Sequence, residues 1–167
     1  EQVRYIAGDC QVRVLVTSPE RWALLAPALG GEAQGLQVVL TVGADGAPGA
    51  VAWADLLAAP ACPGHRVIDT DIVSILYTSG TTGRPKGVVL SHRNMVAGAK
   101  SVASYLENTA QDTLLAALPL SFDAGFSQLT TAFHVGARVV LLNYLMPRDV
   151  LKALEREKVT GLTAVPP

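Results

Sequence analysis

Apolar positions recur along this chain with two alternating periods. Short apolar runs of strand length stand at Val12 to Val16, Leu36 to Val42, Ile72 to Tyr77, Gly87 to Leu90, Thr113 to Leu118, Ala137 to Leu142 and Gly161 to Val165. Between most of them the spacing changes to that of a helix. Glu1 to Gly8 reads as the tail of a helix. The next begins at Ser18-Pro19, a capping hydroxyl followed by the residue that fits the first helical position, and runs to Leu29. Trp22, Leu24, Leu25 and Leu29 are its candidates for the buried side, and Gly30-Gly31 would end it. Val51 to Ala59 reads as a short helix between the turn-rich stretches Gly43 to Gly49 and Pro60 to Thr70. The strongest helical pattern starts after Ser91, with Met95, Val96, Ala99, Val102, Ala103 and Leu106 on one face. Ala124 to Val135 follows, with Phe126, Leu129 and Phe133 on one side and Gly136 closing it. Pro147 to Lys158 is the last, with Val150, Leu151 and Leu154 turned inward. This β-α-β rhythm predicts an α/β fold, a mostly parallel sheet with helices on both faces. Ile72 to Tyr77 is expected as a buried member of that sheet, with a ligand-binding loop at its C-terminal end.

The chemistry concentrates in that loop. Tyr77-Thr-Ser-Gly-Thr-Thr-Gly-Arg-Pro-Lys-Gly carries hydroxyls at Thr78, Ser79, Thr81 and Thr82, glycines at Gly80, Gly83 and Gly87, and one ammonium at Lys86. Glycines let backbone N–H groups face an anion unobstructed, hydroxyls donate hydrogen bonds, and lysine adds a charge. A Walker A loop requires Gly-Lys-Ser/Thr at its end, and here Gly87 follows Lys86. A dinucleotide-type G-x-G-x-x-G is also absent. His92 and Arg93, in the first turn after Ser91, read either as a solvated helix start or as neighbours of an anion.

The run T-S-G-T-T-G-R-P-K-G resembles the phosphate loop of the adenylate-forming (AMP-binding) superfamily, which includes AMP-forming acyl-CoA synthetases, peptide-synthetase adenylation domains and luciferases. Ser91-His92-Arg93-Asn94 is similar to the usual sequel, and Leu118-Pro119-Leu120-Ser121-Phe122-Asp123 to the motif at the acyl pocket. Leu118 to Gly136 is closest to the exosortase-associated acyl-CoA ligases. The resemblance implies part of the large N-terminal domain of an acyl-CoA synthetase-like fold: an internal segment truncated at both ends, residues 1–70 a first α/β portion and 71–167 the phosphate loop and following α/β portion. It implies an ATP-dependent ligase that makes an acyl-adenylate and passes the acyl group to coenzyme A or a carrier pantetheine. Thr78, Ser79, Gly80, Thr81, Thr82, Gly83 and Lys86 would bind the ATP phosphates, with Mg²⁺ held through ATP and no protein metal site. Phe122 and Asp123 would lie at the substrate pocket. Fatty-acyl members often carry His near this position, whereas Phe-Asp is common in amino-acid adenylation domains, where the carboxylate pairs with an ammonium. Asp123 therefore either contacts substrate or caps the following helix. The family's later motifs are absent, so no catalytic set is complete and the isolated segment is expected to be inactive. The alternatives are an amino-acid adenylation domain or a non-catalytic nucleotide-binding module.

Composition adds three points. The chain has 167 residues, half of them hydrophobic and 16% charged, with a mean hydropathy of +0.34. Polar cover is thin, which predicts self-association of the isolated segment. A net charge of −1 gives no electrostatic case for nucleic acid, and no apolar run is long enough for a membrane span. Glu1 onward shows neither an initiator Met nor a signal pattern, and Cys10 and Cys62 are too far apart for a metal pair. A cytoplasmic protein with buried thiols is expected.

Overall fold

The computed structural model describes residues 1–29, 35–43, 46–78 and 85–164. The chain divides into two compact units, Glu1–His65 and Arg66–Pro167.

The first unit contains α1 (Gln2–Asp9), β1 (Val14–Thr17), α2 (Pro19–Leu29), β2 (Val38–Thr41), β3 (Val51–Ala52) and α3 (Trp53–Ala58). Its three strands are all parallel in the order β1-β2-β3, with Val14 opposite Val38 and Leu40 opposite Val51. Helix α2 starts as expected, the Ser18 hydroxyl accepting the Arg21 N–H at 3.3 Å. Trp22 and Leu29 are buried with Ala7 and Val39, and Leu25 and Ala26 pack against them. Positions 22, 25, 26 and 29 form one helical stripe, which puts Leu24 on the other side, 80% exposed and not buried as expected. Val51–Ala52 was expected to be helical. It pairs with β2 instead, and the helix begins only at Trp53, as suits a β-branched residue at the edge of a sheet. Cys62 is exposed and Cys10 half-buried, against the expectation of two buried thiols. Gly30-Gly31 lies outside the described residues.

The second unit contains β4 (Ile72–Thr78), β5 (Lys86–Ser91), α4 (His92–Tyr105), β6 (Thr113–Ala116), α5 (Asp123–Val135), β7 (Arg138–Leu141), α6 (Pro147–Glu157) and β8 (Gly161–Leu162). Strands β7-β6-β8 form a parallel sheet in that order. Central β6 buries Leu114, Leu115 and Ala116 in succession, as a strand covered on both faces does. Because β7 and β8 flank β6 on opposite sides, the crossovers through α5 and α6 run in opposite directions. The right-handed rule for such crossovers would place the two helices on opposite faces. Val165, expected to continue β8, lies outside the described residues.

Strand β4 departs from expectation. It pairs with β5 in an antiparallel ladder, and among the described residues with no other strand. Nor is it buried: Ile72, Val73, Ile75 and, across the ladder, Val88 and Val89 are exposed. Helix rotations also differ from expectation. On α5 the buried residues are Gly125, Gln128, Thr131 and Ala132, while Phe133 is 70% exposed. On α6 Ala153 is buried, Val150 and Leu154 half-buried, and Leu151 66% exposed. On α4 the small residues Ala99 and Ala103 are buried and Val96 and Leu106 exposed. Small side chains therefore face inward where α4 packs on α5. Among the described residues no helix is long and apolar enough to cross a membrane.

Candidate functional site: the β4–β5 hairpin and the start of α5

The ladder sets the geometry of the loop's stem. Tyr77 stands opposite Gly87 and Thr78 opposite Lys86, so the hydroxyl and the ammonium flank the same end of the hairpin. Gly87 has a steric role here. A Cβ at this position would sit 2.8 Å from Ile75 Cγ2 and 3.1 Å from the Tyr77 ring, so a larger residue would push the two strands' side chains apart. Thr78 and Lys86 are exposed, and Lys86 makes no ion pair among the described residues. Ser79, Gly80, Thr81, Thr82 and Gly83 lie outside the described residues.

The stem is tied at its base. Ser91 and Asn94 form a capping box: the Ser91 hydroxyl accepts the Asn94 N–H at 3.3 Å, and Asn94 Oδ1 accepts the Ser91 N–H at 2.9 Å. Such a cap contributes about 1 kcal/mol. The segment before β4 adds three contacts. The Asp71 carbonyl accepts the His92 N–H at 3.0 Å, the Asp69 carbonyl accepts the Arg93 N–H at 2.7 Å, and the Arg93 guanidinium lies 2.8 Å from the Asp69 carboxylate. The anion beside Arg93 is thus the protein's own. Sequence reasoning missed Asp69 and Asp71; their placement just before the strand is the only local signal.

At the start of α5 the cap position is Phe122, which offers no capping side chain, and Asp123 is the first helical residue. Asp123 therefore does not stand at the cap position, one of the two roles open to it from the sequence. Its carboxylate accepts the Ala124 N–H at 2.7 Å and is exposed, as is Phe122. Two residues on, a Cβ at Gly125 would lie 2.0 Å from the Pro119 carbonyl oxygen. Only glycine lets the helix sit this closely on the Leu118–Pro119 segment, and that contact sets where Phe122 and Asp123 stand. At the C-terminal ends of β6 and β7, a cleft of about 660 Å³ lies between Ala116–Leu120 and Leu141–Tyr144. Among the described residues no hydrogen bond or ion pair joins Thr78 or Lys86 to Phe122 or Asp123.

A second cavity of about 640 Å³ lies between α4, α5, β6 and β8, with Asn108, Gln128 and Thr131 in its lining. The Asn108 Oδ1, Gln128 Oε1 and Thr131 Oγ1 atoms are buried and have no hydrogen-bond partner among the described residues. Nearby Asp112 is held below the ordinary carboxylate range by the Thr109 N–H at 2.6 Å, then by the Thr160 hydroxyl at 2.7 Å, with a smaller contribution from the Asn108 side chain.

Comparison with known proteins places the hairpin and helices in a shared framework. The family model of AMP-binding enzymes matches residues 1–167. The medium-chain fatty-acid–CoA ligase of Escherichia coli is 38% identical over 98 residues, covering 58% of this chain and 17% of that protein. The hybrid PKS-NRPS synthetase pynA of Aspergillus niger is 32% identical over 170 residues, covering 98% of this chain and 4% of that protein. The solved structure of ATP-bound MatB from Rhodopseudomonas palustris superposes with a TM-score of 0.79 at 28% identity, covering 96% of this chain and 31% of that one. The chain spans less than a third of the length of each of these relatives. With the family match running through every element described above, this chain belongs to the AMP-binding enzyme family.

Proposed function

We propose that this chain supplies the phosphate-binding loop, and one wall of the carboxylate pocket, to an ATP-dependent, AMP-forming acid–thiol ligase. The observation that carries this reading is the facing pair Thr78 and Lys86 at the mouth of a hairpin whose loop consists largely of glycine and hydroxyl residues. In such a ligase a carboxylate oxygen attacks the α-phosphorus of ATP and the bond to pyrophosphate breaks. A thiol of coenzyme A or pantetheine then attacks the acyl carbon, and AMP leaves. Negative charge grows on the departing pyrophosphate, and fixed donors stabilise it. The hydroxyls of Thr78, Ser79, Thr81 and Thr82, the backbone N–H groups of Gly80 and Gly83, and Lys86 Nζ are that donor set. Every member can donate, and an exposed Lys86 with no ion pair among the described residues suits a phosphate. Mg²⁺ would enter with ATP, held through the phosphates that this donor set binds. ATP supply favours the cytoplasm.

In this reading residues 1–70 and 71–167 are successive α/β portions of a longer enzyme's large domain, and the remainder provides the other catalytic groups. High coverage of this chain against low coverage of MatB supports that arrangement. One observation favours a second reading, amino-acid activation: Asp123 is exposed and does not occupy the cap position, which leaves its carboxylate available to an ammonium. The test is a calorimetric titration of the chain with MgATP. Wild type binds, and Lys86→Ala weakens binding about tenfold or more by removing a charge-assisted contact. Equal affinities, or no binding by wild type, would refute the reading.

A further inference from the structure

The two strands of the β4–β5 hairpin are anchored by different means. Strand β5 runs straight into α4, because Ser91 is both its last residue and the cap of the helix. Strand β4 has no such continuity, and among the described residues it pairs with β5 alone. What ties its start to α4 is the turn at residues 68–71. That turn is closed by a reciprocal pair of bonds: the Asp71 N–H donates to the Ile68 carbonyl at 3.1 Å, and the Ile68 N–H donates to Asp71 Oδ2 at 3.0 Å. Closed in this way, it presents the Asp71 and Asp69 carbonyls to the N–H groups of His92 and Arg93, at 3.0 and 2.7 Å. The first N–H groups of a helix have no partner inside it, so these two bonds and the Ser91 cap on Asn94 meet needs that α4 cannot meet itself. The Arg93–Asp69 ion pair adds less, since both side chains are exposed.

Just beyond this anchor the ladder is irregular. Ile72 stands opposite Ser91 and Ser74 opposite Leu90, which leaves Val73 an extra residue on β4. A bulge interrupts pairing locally, so the ladder is weakest where the strand leaves the turn. Nor does a buried face hold the ribbon together: Ile72, Val73, Ile75, Val88 and Val89 are all exposed. A two-stranded ribbon of this kind is marginal in water. We propose that Asp71 is a positioning residue for ATP binding: its carboxylate closes the turn that keeps β4 against β5, and so keeps Thr78 facing Lys86 at the far end of the ladder. The hairpin exchanges between a closed ladder and one frayed from the turn, and Asp71 sets the closed fraction. A ligand that needs Thr78 and Lys86 together binds with an apparent Kd raised in inverse proportion to that fraction. The consequence for ATP rests on the ligase reading, whereas the closing of the ladder does not.

The 167-residue chain is compared as wild type, Asp71→Ala and Asp71→Asn. Asparagine retains a side-chain oxygen for the Ile68 N–H and alanine does not, while both lose the same charge. Calorimetric titration with MgATP, at a temperature where all three are folded, gives about fivefold weaker binding for Asp71→Ala and binding within about twofold of wild type for Asp71→Asn. A carboxylate acting through its charge alone gives another pattern: both variants bind ATP equally, and more tightly than wild type, because an anion has been removed. Amide hydrogen exchange follows the ladder without ATP. Protection of the hydrogen-bonded amides of β4 and β5 falls at least about fivefold in Asp71→Ala and is kept in Asp71→Asn. In wild type the Ile68, His92 and Arg93 amides exchange no faster than those of the ladder, a result that stands even if Asp71→Ala does not fold. Equal MgATP affinities for the two variants, unchanged ladder protection in Asp71→Ala, or free exchange at Ile68, His92 and Arg93 beside a protected ladder would overturn the proposal. If wild type binds no MgATP, the ligase reading fails, and hydrogen exchange alone decides whether Asp71 holds the hairpin. If wild type binds and the two variants match, only the present inference fails.

Discussion

Asp112 joins two strands through one carboxylate. It accepts from the Thr109 N–H and the Thr160 hydroxyl, and Thr160 in turn accepts the Thr113 N–H at 3.0 Å, so the N-terminal ends of β6 and β8 share one network. These donors favour the ionised form, and the folded state binds the proton more weakly than the unfolded chain. The stabilisation is therefore complete above the unfolded carboxyl value of about 3.9 and is lost as pH falls through the lower folded-state value. Thermal unfolding followed downward from about pH 6 should show the wild-type Tm falling more steeply than that of Asp112→Asn. Parallel curves would mean that this carboxylate is not coupled to folding. Legibility at this scale is uneven. Lys86 and Thr78 could be named from the loop's composition, because donor chemistry is written in residue types. The roles of Gly87 and Gly125 could not, because each depends on atoms that only the folded chain brings near: the Tyr77 ring in one case and the Pro119 carbonyl in the other.

The β4–β5 hairpin is the element whose surroundings matter most. A two-stranded ribbon alone is marginal in water, and this one exposes Ile72, Val73, Ile75, Val88 and Val89 on its two faces. Within a longer ligase, other layers would cover those residues. For the isolated chain we propose that a second copy does so, burying the same side chains across a two-fold axis. Sedimentation velocity over a dilution series should show a concentration-dependent dimer, and a chain that stays monomeric at high micromolar concentration would contradict it. The antiparallel pairing was within reach of the sequence: a connection as short as that between Thr78 and Lys86 can join only antiparallel neighbours, since a parallel crossover needs a dozen or more residues. Helix rotation was less accessible. The large residues Phe126, Leu129 and Phe133 gave the strongest periodic signal on α5, but close approach at Gly125 turned a small and polar face inward.

Among the described residues each unit holds an all-parallel three-stranded sheet and the second adds an antiparallel hairpin, in a chain that belongs to the AMP-binding enzyme family. The alternation of strand and helix was readable except at Val51–Ala52, because the two periods differ so clearly, and the α/β class followed from it. The buried oxygens of Asn108, Gln128 and Thr131 were not readable, since four elements, α4, α5, β6 and β8, come together around them. The central claim is that the β4–β5 loop holds the phosphates of ATP. Amide chemical-shift mapping of the isotope-labelled chain during titration with MgATP addresses it most directly. The account predicts saturable shifts concentrated from Thr78 through Gly87, abolished or strongly reduced in Lys86→Ala. Shifts confined to other parts of the chain, or a Lys86→Ala map identical to that of wild type, would contradict it.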